Sequence, residues 1–262
     1  MRIRIAAPVL VGALTLAALA APTAACAATA TGAPVITGAS ATTMVLGLTG
    51  RATQVLRISA TDAAGIKSIR AIPWPEAAVA KGYKVTAAEV ASSNPLPAVS
   101  HTATTETAGL TDTMNYNVEQ MHIPNALAGS VYDIAVLVTG KNGKTTFTAK
   151  AGTFSFKRAD TLNAKASATT VRKGSYLTVN GQLTRANWDR FAWQGYASRW
   201  VALQFRTTGT STWNTVTWVR STSSGAVTAA VRDYRSGTWR FVYAGDTASG
   251  ATASAATWVT VK

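Results

Sequence analysis

The stretch Trp200-Val-Ala-Leu-Gln-Phe-Arg206 decides the fold class. Val201, Leu203 and Phe205 fall on one side of an extended chain, and Trp200, Ala202, Gln204 and Arg206 on the other. A period of two sends one set into a core and the other to a surface, so this is a half-buried strand. Thr238–Ala244 repeats the pattern, with Trp239, Phe241 and Tyr243 set against Thr238, Arg240 and Val242. Five further runs of the same kind surround these two: Leu162–Ala168, Tyr176–Leu183, Trp213–Ser221, Ala226–Arg232 and Ala255–Val261. Turn residues separate them, among them Lys173-Gly174, Thr208-Gly209, Ser224-Gly225 and Ser236-Gly237. Short alternating strands at such spacing are the signature of a β-sandwich.

The first half is less regular. Gln54–Ala60, Ile66–Ile72, Thr113–Val118, Ser130–Val138, Thr145–Ala149 and Thr153–Phe156 read as strands. Asn142-Gly143 is a two-residue hairpin signal. Pro73 and Pro75 mark the end of a strand, because neither can donate to a ladder. Thr86 followed by Glu89 forms a capping-box pattern and predicts a short helix near 86–92. The expected organisation is all-β. One sandwich covers 28–157 and carries a short helical insertion, and a second covers 158–262.

The chain has 262 residues, enough for two ordinary domains. Residues 1–27 read as a cleaved signal peptide: Arg2 and Arg4, an apolar run from Ile5 to Ala21, then Ala25-Cys26-Ala27. Cys26 also stands where a lipoprotein is acylated, and Thr23 departs from the usual lipobox, so lipidation is the alternative to removal. No second hydrophobic span follows, so the mature chain is expected without a transmembrane segment, secreted or held at the cell surface. One Cys excludes a disulfide framework, and with two His it excludes a Cys/His zinc cage.

Residues 158–262 resemble an immunoglobulin-like domain of secreted streptomycete and other actinobacterial proteins. The residues that carry the resemblance are Thr170-Val-Arg-Lys-Gly174, Leu203-Gln-Phe-Arg206, Trp213 with Val216 and Val219, and Gly237-Thr-Trp-Arg-Phe-Val-Tyr-Ala-Gly245. Residues 53–157 resemble the companion domain through Asp62-Ala-Ala-Gly-Ile-Lys-Ser68 and Ala71-Ile-Pro-Trp-Pro75. The resemblance implies two tandem immunoglobulin-like β-sandwiches. Relatives often carry the label of calcium-binding protein. No EF-hand loop or run of clustered carboxylates supports that label, and Asp62 and Asp133 read as turn formers.

Catalytic equipment is sparse. The second half holds no His, Glu or Cys, only Asp160, Asp189, Asp233 and Asp246. His101 lies in a Ser/Thr-rich stretch, and His122 closes Glu119-Gln-Met-His122 ahead of Pro124. No nucleophile elbow and no phosphate-binding glycine loop is present. The expectation is a non-enzymatic protein with no catalytic residues, cofactor or metal.

Charge is uneven. The chain carries 25 basic and 11 acidic residues, a formal charge of +14, and residues 158–262 hold 13 of the basic residues and 4 of the acidic ones. Seven of the eight Trp lie there too. The densest stretch runs from Arg185 to Trp200, and its candidate ligand-binding residues are Trp188, Arg190, Trp193, Tyr196, Arg199 and Trp200. Three readings compete. The rings cap the sandwich with Arg stacked on them, or Arg and Trp together hold an anionic wall polymer, or the rings lie under neutral glycans. The expected role is a binding or structural protein of the cell envelope that contacts an anionic cell-wall polymer, a glycan or a protein partner, and no intracellular nucleic acid. The alternative is an inhibitor of an extracellular hydrolase, or a protein-interaction module, acting through the long connection Pro73–Pro97.

Overall fold

A computed structural model describes residues 32–262; the segment read as a signal peptide, with Cys26, lies outside the described residues. The first sandwich is built from β1 (Val35–Ala41), β2 (Met44–Leu46), β3 (Thr49–Thr61), β4 (Ile66–Pro75), β5 (Ala98–His101), β6 (Thr105–Asn117), β7 (Val131–Gly140) and β8 (Thr145–Arg158). A short helix, α1 (Ala87–Ala91), lies between β4 and β5. One sheet has the order β1-β3-β6-β5 and the other β2-β8-β7-β4. β2 pairs parallel with β8, while β3, β6, β7 and β8 pair antiparallel with their other neighbours. This is the A-B-E-D and G-F-C arrangement of an immunoglobulin-like sandwich.

The second sandwich contains β9 (Asp160–Leu162), β10 (Lys165–Ala166), β11 (Thr170–Val171), β12 (Tyr176–Asn187), β13 (Ala192–Gly195), β14 (Trp200–Thr207), β15 (Asn214–Arg220), β16 (Ala226–Arg232), β17 (Gly237–Tyr243), β18 (Thr252–Ala253) and β19 (Thr257–Val261). β12 gathers β9, β10, β13 and β16 into one sheet, and β11-β19-β17-β14-β15 form the other. The fold is therefore all-β, two tandem immunoglobulin-like sandwiches. Among the described residues no helix is long and apolar enough to cross a membrane.

The alternation read from the sequence places the core. Val201 and Leu203 of β14 and Trp239, Phe241 and Tyr243 of β17 are buried against Leu177 and Val179 of β12. Each such side chain contributes roughly 1.5–3 kcal/mol by leaving water. The first sandwich does the same with Ile58 of β3, Ile69 of β4 and Ile134, Val136 and Val138 of β7.

Three expectations change. β4 runs through Pro73 to Pro75, paired with Ile134 and Tyr132. It is the edge of its sheet, and an edge strand tolerates the missing N–H donors. The two runs 145–149 and 153–156 form one strand, β8, irregular opposite Ile134–Val136. Asp133 is not a turn former. It sits buried in β7, where Lys150 Nζ approaches it at 3.1 Å and Glu76 at 2.6 Å.

The two sandwiches share a third core. Met44, Leu46, Ala52, Tyr116 and Val118 come from the first, and Ala186 and Trp188 from the second. Polar bonds edge this junction. Asn125 donates Nδ2–H to Asn187 Oδ1 at 2.8 Å and to Asp189 Oδ2 at 2.7 Å, and its Oδ1 accepts from the Trp188 N–H at 2.8 Å.

Candidate binding surface

The six residues nominated from sequence do not form one surface. Trp188 is 2% exposed, and its Nε1–H donates to the carbonyls of Leu46 and Gly47 at 3.2 and 3.1 Å. An indole so placed offers no face to a ligand; it is the keystone of the junction. Trp193, on β13, is exposed, and Arg190 is an exposed residue of the β12–β13 turn. Arg190 borders a cleft of about 410 Å³ with His122 and Phe191. Those two residues adopt φ of 51° and 49°, a conformation that side chains seldom take.

Tyr196 is buried between two cations. The Arg185 guanidinium lies 3.8 Å from its ring centroid and that of Arg199 4.5 Å. Its hydroxyl donates to Asp246 Oδ2, which also accepts from Tyr243 at 3.0 Å. Burial works against the Asp246 charge, but these hydroxyls, the Ala248 N–H and Arg199 outweigh it and hold the carboxyl below its usual range. Arg199 is thereby engaged in an internal network, 3.5 Å from Asp246.

Trp200 leads to a broader open surface, the outward face of the β11-β19-β17-β14-β15 sheet. On β14 the outward positions are Trp200, Ala202, Gln204 and Arg206, opposite the core residues Val201, Leu203 and Phe205. Register then assembles the face. Trp200 pairs with Arg220, Ala202 with Trp218 and Val242, Gln204 with Arg240, and Thr238 with Trp258. Trp200, Trp218 and Trp258 are 59%, 54% and 46% exposed. Arg220 lies over the Trp200 ring at 5.9 Å. Trp213, just before β15, receives Arg240 at 4.0 Å and Arg206 at 4.7 Å. Arg206, Arg220 and Arg240 form no ion pair among the described residues. Sequence reasoning followed the density of rings between 185 and 200 and so passed over Trp213, Trp218 and Trp258. The usable signal was the outward parity of each strand.

The matching face of the first sandwich is covered. Outward residues Trp74 of β4 and Ala135 and Leu137 of β7 pack with Val85 and with Val90 of α1. Trp74 Nε1 donates to the Ala149 carbonyl at 3.0 Å. The connection 73–97 is thus tied down. Thr86 and Glu89 form the full capping box, and the Leu96 N–H donates to the Ile69 carbonyl at 2.8 Å. The middle of this connection, with Lys81, Gly82, Tyr83 and Lys84, stays exposed.

His101 is exposed on β5, and His122 is exposed with its Nδ1 3.1 Å from the Gln120 carbonyl. Among the described residues no three His, Cys, Asp or Glu lie close enough to hold a metal ion.

No family model and no curated protein matches the sequence. Among solved structures, the chain is similar to fibronectin(III)-like modules of CbhA from Clostridium thermocellum, at 11% identity and a TM-score of 0.39, covering 87% of this chain and 92% of that one. It is also similar to a superoxide reductase (neelaredoxin) from Ignicoccus hospitalis, at 15% identity and 0.29, covering 39% and 80%. The D00-D0 domain of intimin matches at 13% identity and 0.25, covering 87% and 98%.

Proposed function

We propose that this is a secreted or cell-surface, non-enzymatic binding module of the cell envelope, and that it holds an anionic wall polymer on the outward face of its second sandwich. The observation that carries this reading is the uncovered sheet face on which Trp200, Trp218 and Trp258 stand beside Arg206, Arg220 and Arg240 without a carboxylate partner. Exposed indoles on a sheet are costly to leave in water and suited to stacking on sugar rings, while guanidiniums supply attraction to anions. The first sandwich closes the same face with α1 and its flanking connection, so the fold itself does not require the face to be open.

Co-sedimentation of the purified protein with cell wall tests this. Pelleting at low salt that falls steeply at high salt is expected, because bound cations of the polymer are released on binding. Replacing Trp200 and Trp218 together by Ala should weaken pelleting by tenfold or more, since a stacked ring contributes about 1–3 kcal/mol. Pelleting indifferent to both salt and these substitutions would overturn the assignment of the face.

A further inference from the structure

Within this face one group of side chains is built differently from the rest. Arg206 and Arg240 come from neighbouring strands, and both guanidiniums rest on the single indole of Trp213, at 4.7 and 4.0 Å from its ring centroid. The Arg240 Nε–H is fixed by Gln204 Oε1 at 2.9 Å, which sets the direction of its fork. One guanidinium would suffice to cover the ring. The second adds repulsion: burial first, and then the Arg206 charge, press the Arg240 guanidinium below its ordinary pKa. No carboxylate lies within ion-pair distance of either Arg among the described residues. Two held cations that repel each other form a site whose chemistry is completed by an anion.

The geometry points to a phosphodiester-binding clamp formed by Arg206, Trp213 and Arg240, the ligand being a glycopolymer whose units are joined by phosphodiesters. This inference rests on the function proposed above and names the ligand class of the same face. A carboxylate is planar, and one guanidinium fork meets both of its oxygens in that plane. A phosphodiester is tetrahedral, and its two non-bridging oxygens splay apart, so it can accept two forks that arrive from different strands. A polymer rather than a small anion fits the extent of the face. Arg220 over Trp200 repeats the guanidinium–indole unit at the other end of β14, six residues from Arg206, or about 20 Å along an extended strand. Trp218, cross-strand from Ala202, stands between the two units and offers a ring face for an intervening sugar, while Trp258 lies level with Arg206 two strands away and extends the face beside the clamp.

The test compares binding of the purified protein to a soluble polyol-phosphate polymer and to polyglutamate of matched length, at one ionic strength. The unaltered protein should bind the phosphate polymer at least tenfold more tightly. The double variant Arg206→Lys with Arg240→Lys keeps both charges but loses both forks. It should bind polyglutamate unchanged and lose the tenfold preference. Arg206→Gln with Arg240→Gln should weaken binding to both polymers, with circular dichroism reporting the fold; should it not fold, the Lys pair still decides the matter. Equal affinity of the unaltered protein for the two polymers, or a preference that survives in the Lys pair, overturns the clamp and leaves the broader function standing. Binding to neither polymer and not to cell wall removes that function, and the clamp with it.

Discussion

Asp160 begins β9, 9% exposed, with both carboxylate oxygens buried and only the Ser249 hydroxyl near enough to favour its charge by hydrogen bonding. Burial and the neighbouring Asp246 push its pKa from 3.8 up to about 7, against the pull of Arg185 and Arg158. The unfolded chain ionises this group near its ordinary value, whereas the folded protein resists until about 7. Across that interval the folded state holds the extra proton, so stability falls as pH rises from about 4 through 7. The loss attributable to Asp160 is at most about 4 kcal/mol. Urea unfolding at pH 5 and pH 8 should show it, and Asp160→Asn should remove most of the difference; an identical pH slope in the variant would refute the assignment. Trp239 is the other residue with a plain consequence. Its ring is buried 4.6 Å from that of Phe205, and its Nε1–H donates to the buried Asp233 at 3.3 Å. Trp239→Ala should cost about 3–5 kcal/mol in chemical denaturation. A loss below about 1 kcal/mol would mean that the ring is not packed as described.

At the level of elements, β14 and β17 were legible because Val201, Leu203 and Phe205 in the one and Trp239, Phe241 and Tyr243 in the other recur at every second position without a break. Ile66–Ile72 of β4 was legible too, but its last three residues were not, because two prolines obscure them and only the sheet order reveals that β4 lies at an edge. The short β2, β10, β11 and β18 have two or three residues each, too few for any period to show. The outward Arg and Trp face was half legible. Parity told which side of each strand faces out, but the pairing of Ala202 with Trp218 and of Thr238 with Trp258 is non-local. Local sequence carries no information on that register. α1 was readable from its capping box, though its task was not: it roofs the outward face of β4 and β7. Thr86→Ala should cost about 1 kcal/mol by removing the cap. Val90→Asp should lift the helix from the sheet, and hydrogen exchange should then accelerate at residues 70–74 and 133–137 while the second sandwich keeps its protection. Unchanged exchange there would show that α1 does not hold this face closed.

Across the whole molecule, the two sandwiches are joined by packing as well as by chain. Arg158 donates Nε–H to the Ala186 carbonyl at 2.6 Å, Lys157 Nζ reaches the Asp246 carbonyl at 2.7 Å, and the Ala159 N–H donates to the Leu46 carbonyl at 2.8 Å. At the same junction the Trp188 ring packs with Leu46 and Val118 of one sandwich and Ala186 of the other. A flexible linker would instead be exposed and would cross few contacts. The arrangement couples the two units: neither can unfold without exposing the apolar residues that the other covers. A single calorimetric transition, with calorimetric and van't Hoff enthalpies that agree, is therefore expected. Trp188→Ala removes the shared ring and the indole donor to the Gly47 carbonyl, leaves the Leu46 carbonyl with the Ala159 N–H alone, and should cost about 3–5 kcal/mol. Its sharper effect should be on cooperativity, splitting the transition in two. The second sandwich keeps its own core of Phe241, Leu203 and Leu177 in that variant, so the Arg and Trp face should still bind polymer below the lower transition. Two transitions already present in the unaltered protein would show that the junction transmits no stability, and would make Trp188 a local packing residue only.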